Sequence, residues 1–122
     1  GPNRWRWVEM AVEEKLVLVT VPSEAEAESM VSMLVDERIV ACGNIVPGLT
    51  SIYRWQGKVE RAAEVLVILK TTAAEVPRLL ERVPALHPYD VPEVLVVPIE
   101  AGHGPYLDWV RASVGVEAQE GE

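Results

Sequence analysis

Three stretches of the chain are apolar at every position: Leu16–Val19, Val65–Leu69 and Val94–Val97. A strand wetted on one face alternates apolar with polar side chains, so these unbroken runs predict strands covered on both faces. Leu16–Val21 ends at Pro22, and Ser23 with Glu26 makes a capping box for the helix that follows. Ala27, Met30, Val31, Leu34 and Val35 then recur at helical spacing up to about Ile39. Ala41–Val46 is a further apolar run. Pro47-Gly48 predicts a bend or bulge in a long strand that resumes over Leu49–Trp55. Gln56-Gly57 is a turn signal, so Leu49–Trp55 and Val59–Lys70 should form a hairpin. Thr72 with Glu75 reads as a second capping box, ahead of a stripe of Val76, Leu79, Leu80, Val83 and Leu86. Pro77 and Pro84 interrupt that stripe and predict a short or kinked helix. Val94–Ile99 is the fourth strand, and Pro105 opens a terminal helix over Pro105–Ser113.

This order is strand, helix, strand, strand, helix, strand, helix. It predicts an α+β, ferredoxin-like βαββαβ fold with a short C-terminal helix. Right-handed crossovers put both long helices on one face of the sheet. The other face then lacks a cover. The three strands, with Val21 and Ile99, carry fifteen Val, Leu and Ile residues, of which about seven point away from the helices. At roughly 60–120 Å² each, they present roughly 400–850 Å² of apolar surface, at or above the largest patch of an ordinary monomer. A homo-oligomer that buries this face is the expectation. The alternative is that the terminal helix and an arm carrying Trp5 and Trp7 fold over it.

Composition narrows the function. A chain of 122 residues is one domain. The net charge of −8 and only three lysines argue against a nucleic-acid backbone as partner. The single cysteine, Cys42, forms no intramolecular disulfide, which suits a reducing, cytoplasmic setting. No apolar run reaches membrane-spanning length and no signal-peptide layout is present. Residues 1–14 read as an N-terminal extension beginning with a Gly1-Pro2 vector remnant, 15–114 as the domain, and 115–122 as an acidic tail.

Candidate chemistry is sparse. Cys42 is either a metal ligand or a small buried hydrophobe. His87 is either a ligand for a borderline cation or a residue satisfied at a helix end. His103 lies between glycines in a loop. Tyr53 and Trp55 share a strand face, as a ligand platform or as part of a subunit contact. Glu64, Lys70 and Glu93 sit at strand ends, as a polar set in a cleft or as charges facing water. No phosphate-loop, dinucleotide, nucleophile-elbow or zinc-protease motif occurs, and no nucleophile–base pair is recognisable. An enzyme is not expected.

The segments VLVTVPSEAEAE, ERIVACGNIVPGLTSIYRWQGKVE, EVLVILKTT, HPYDVPE and AGHGPYLDWV together resemble the CutA family of divalent-cation-tolerance proteins, over about Lys15–Val114. The resemblance implies a ferredoxin-like protomer in a tight homotrimer and a link to copper and other divalent-metal tolerance. It also implies an architecture similar to PII signalling proteins, no firmly attached enzymatic activity, and a tie to acetylcholinesterase anchoring in animal relatives. Carried over by position, Cys42 and His87 match residues proposed as copper ligands. The PII likeness suggests a small-molecule cleft between subunits lined by Tyr53, Trp55, Lys70, Tyr89 and Glu93. A trimeric scaffold for a protein partner is a third reading. Gly43 departs from the bulkier residue usual in the family. Val19 and Leu86 stand where some relatives offer further Cys or His ligands, and Pro77 and Pro84 where non-proline residues are usual.

Overall fold

In a computed structural model, residues 13–115 are described. The Trp5/Trp7 arm and the acidic tail after residue 115 lie outside the described residues. The elements are β1 (Glu14–Val21), α1 (Glu24–Asp36), β2 (Cys42–Trp55), β3 (Lys58–Thr72), α2 (Val76–Leu86), β4 (Val94–Pro98) and α3 (Gly104–Ser113). The strands form one antiparallel sheet in the order β2-β3-β1-β4, the arrangement the element order predicts.

Local chemistry explains most boundaries. The Ser23 hydroxyl accepts the Glu26 amide at 3.2 Å and donates to the Glu26 carboxylate at 2.8 Å, closing the first turn of α1. Arg38 adopts φ +60°, which ends α1 short of the expected Ile39 and turns Ile39 and Val40 into the core. At the hairpin tip Gln56 and Gly57 both have positive φ, as a tight two-residue turn requires. The bulge falls where Pro47-Gly48 placed it, with a register shift between Val46 and Leu49 and Gly48 at φ +84°.

The second capping box does not form. Ala73–Glu75 is a 3-10 turn, the Thr72 side chain makes no capping bond, and the Glu75 carboxylate accepts from Arg78 at 2.7 Å instead. Because α2 starts at Val76, Pro77 lies in the first turn, where its missing amide costs nothing. Only Pro84 is interior, within the last turn of the helix.

One sheet face is packed. Val17, Val19, Val21, Val65, Val67 and Leu69 bury against Ala27, Met30 and Leu34 of α1 and Leu79 and Val83 of α2. Gly43 is the tight point of this core. A Cβ there would lie 2.8 Å from Val31 Cγ1 and 2.9 Å from Leu69 Cδ2, which explains the departure from a bulkier residue. Gly43→Ala is expected to cost about 1–3 kcal/mol through overpacking. Urea denaturation reads this, and an unshifted midpoint would show that Val31 swings aside freely.

The opposite face carries Leu16, Leu18, Val46, Leu66, Ile68, Leu95 and Val97, cross-paired or alternating along their strands. Val46 is 43%, Leu95 53% and Val97 36% exposed, while the other four are half-buried by their neighbours. The terminal helix α3 reaches only one end of this face. There Arg111 pairs with Glu14 at 2.7 Å, and the Tyr106 hydroxyl lies 3.6 Å from Cys42 Sγ. The centre of the face stays open within one chain.

Candidate functional site

A cavity of about 640 Å³ opens at the end of the sheet away from α3. Its walls come from the β2–β3 hairpin, the end of β1 and the loop between α2 and β4. The bulge decides which side chains enter it. Before the bulge, Cys42, Asn44 and Val46 share the open face; after it, Leu49 pairs with Glu64 and Ser51 with Ala62, so the odd-numbered residues take that face. Ser51, Tyr53 and Trp55 thereby line the cavity with Glu64.

Glu64 is its organising carboxylate. It accepts from the Ser51 hydroxyl at 2.6 Å and from the Tyr89 hydroxyl at 2.8 Å. Burial, with the Glu64 hydrogen bond second, pushes the Tyr89 phenol up to about 12. The neutral phenol is thus favoured in the folded protein. The resulting stabilisation is complete below the ordinary tyrosine value near 10 and is lost as pH rises through about 12. A near-ultraviolet tyrosinate titration is expected to show one phenol ionising late, and Tyr89→Phe should remove that late component. Its persistence would assign it to another tyrosine.

His87 sets the loop rather than the cavity surface. It is buried; its Nε2 lies 2.7 Å from the Thr20 carbonyl, and its Nδ1 accepts the Tyr89 amide at 3.0 Å. With Nδ1 as acceptor, Nε2 is the donor, so both ring nitrogens are engaged. The His87 and Tyr89 rings stand 4.8 Å apart, which fixes where the Tyr89 hydroxyl can reach.

Of the residues expected in one cleft, Tyr53, Trp55, Tyr89 and Glu93 line this cavity together. Lys70 does not. It pairs in register with Cys42 and its ammonium donates to the Asn44 side chain. Lys70 is four residues from Leu66, the partner of Thr20, which is about 13 Å along the strand. The same offset separates Cys42 from His87, so a single chain does not bring these two together. Among the described residues, no group of three or more His, Cys, Asp or Glu side chains is placed to hold a metal ion. Cys42 is half-buried, and its contact raises the Tyr106 phenol above its ordinary value, with burial second. Thr20, Ser51 and Asp90 also line the cavity, and the sequence reading did not single them out. For Thr20 the signal exists, as it is the one polar residue within Leu16–Val21.

With this geometry in view, the family described as CutA1 divalent ion tolerance protein matches residues 15–113. The divalent-cation tolerance protein CutA of Thermus thermophilus is 56% identical over 102 residues, covering 84% of this chain and 99% of that protein. Human protein CutA is 46% identical over 93 residues, 76% of this chain, and the chain spans 52% of its length. Among solved structures, the Thermus thermophilus protein superposes with a TM-score of 0.82 over 84% of this chain and 99% of its own. CutA1 from Oryza sativa does so with a TM-score of 0.83 at 42% identity, over 85% and 95% of the two chains.

Proposed function

The chain belongs to the CutA1 divalent ion tolerance family, and from that membership we propose that it acts in divalent-cation tolerance as a non-catalytic, homotrimeric binding protein of the cytoplasm. The carrying observation is the match over residues 15–113, which takes in every strand and helix among the described residues except Glu14, the first residue of β1. The family is named for tolerance and not for a reaction. Trimerisation draws support from the open aliphatic sheet face, which its own chain leaves uncovered at the centre.

Copper is the metal proposed, through Cys42, the one thiol of the chain. His87 joins such a site only by giving up its bond to Thr20 or to the Tyr89 amide, and only if neighbouring chains close the gap to Cys42. Anaerobic titration calorimetry with Cu(II) is the test. Cys42→Ala is expected to weaken uptake at least tenfold, and unchanged uptake removes Cys42 from the site.

A second reading is favoured by the cavity itself. Tyr53, Trp55, Tyr89 and Glu93 converge on a space of the size used for small organic ligands, about 300–1,000 Å³. It lies beside the open sheet face, so subunits that buried that face would border it. A metabolite-sensing role, similar in plan to PII proteins, follows from that placement. A thermal-shift screen tests it, because a ligand specific to the native state raises the midpoint. A Trp55→Ala variant that responds as fully as the wild type would move the sensor elsewhere.

A further inference from the structure

Resting on the reading of this cavity as a ligand site, we propose that it binds an aliphatic polyamine, a flexible organic cation with two or more ammonium heads. The sign of the site comes first. Glu64, Asp90 and Glu93 line it, and no Lys or Arg does. Lys70, the one cation expected there, is held by Asn44 at the far end of the strand. A phosphate-bearing effector would meet three carboxylates and no cationic side chain among the residues of this chain that line the cavity. A cation meets compensation it does not find in a neutral pocket.

The walls come second. Within the single chain Tyr53, Trp55 and Tyr89 are 45%, 60% and 39% exposed, and all three line the cavity. Ring faces attract ammonium groups and accept methylene chains, and Val91 extends the apolar contact. Third, Thr20 lines the cavity with only 7% exposure, and among the described residues its hydroxyl has no hydrogen-bond partner. Asp90 and Glu93 likewise have none among the described residues. Hydroxyl and carboxylate oxygens that line the cavity can accept from an N–H donor that enters it. Glu64 is different: Ser51 and Tyr89 hold it in place, which fixes one anchor before a ligand arrives.

A bare divalent ion fits this arrangement less well. No three carboxylates converge among the described residues, and the space is far larger than an ion. Carboxylates spread around an aromatic cavity suit charge spread along a chain.

Titration calorimetry of the whole protein with spermidine, at physiological ionic strength, tests this. Saturable binding is expected, with Mg²⁺ at matched ionic strength far weaker. Trp55→Ala and Glu93→Gln should each weaken spermidine at least tenfold, and Thr20→Val several-fold, with circular dichroism confirming the fold of each variant. Spermidine heats that match Mg²⁺ per charge would overturn the proposal, marking only the counter-ions of a protein of charge −8. ATP binding that Trp55→Ala abolishes, with spermidine silent, would overturn the polyamine and keep the cavity as a ligand site. Spermidine binding that all three variants leave intact would place the site elsewhere and overturn both.

Discussion

Leu95→Glu is expected to split the assembly into single chains without unfolding them. Leu95 is 53% exposed in one chain, so a carboxylate there remains solvated and should change protomer stability by no more than about 0.5 kcal/mol. In an assembly that buries the open face, the same charge loses its water. It finds no partner among Leu18, Ile68 and the other aliphatic residues around it. The face is worth on the order of 10 kcal/mol per chain before entropy losses if its seven aliphatic side chains are fully covered, and less for the four already half-buried. Losing several kcal/mol of that at each contact is enough to dissociate the complex. Sedimentation velocity is expected to show the wild type at about three times the 13.5 kDa chain mass and the variant at the chain mass. Leu80→Glu is the control, because Leu80 is 45% exposed on α2, across the sheet from the open face. A wild type that sediments as a single chain would sink the trimer. So would a Leu95→Glu protein that stays assembled.

Arg111→Ala should produce the largest loss of stability among single changes at exposed positions. Glu14 is fully buried, and Arg111 from α3 donates to its Oε2 at 2.7 Å. Among the described residues, the other carboxylate oxygen of Glu14 has no partner. The Glu14 hydrogen bond is also the main reason the Arg111 guanidinium is raised above its ordinary value. Arg111 further pairs with Asp108 on its own helix. Removing Arg111 leaves a buried charge alone, a far more damaging change than loss of a surface pair. A fall in Tm on the order of 10 °C is expected for a chain of this size. Adding Glu14→Gln should return much of it, since the orphan charge then disappears. The pair also ties the start of β1 to α3, so α3 amides are expected to exchange faster in Arg111→Ala. An unchanged midpoint would mean that Glu14 is held by something else.

The cleft shows how little of a site can follow from residue types alone. Tyr89 and Glu93 belong to one short segment, and Tyr53 and Trp55 to one strand, so their association follows from short-range rules. The PII likeness adds Lys70 to them, in a cleft between subunits. Within one chain, antiparallel register places it opposite Cys42, four residues beyond the Leu66–Thr20 pair. Glu64 is the reverse case. Its position at a strand end leaves it open between water and a cleft, and within one chain it accepts from the Tyr89 hydroxyl at the cavity wall.

Local chemistry settled the strands, α1, the Gln56-Gly57 turn and the Pro47-Gly48 bulge, because each depends on sterics and hydrogen bonds within a few residues. The two-sided apolar strands also declared the uncovered face, since side-chain alternation is a property of any pleated strand. The second capping box failed because Thr72 was drawn into β3, where pairing with Glu14 outweighs a local cap. Which faces Tyr53 and Trp55 take, and which candidates meet, belonged to the tertiary structure. A one-residue shift at the bulge moves every later side chain across the sheet, and only the partner strand fixes that shift. The separation of Cys42 from His87 has the same origin: distance along a sheet exists only once its register does.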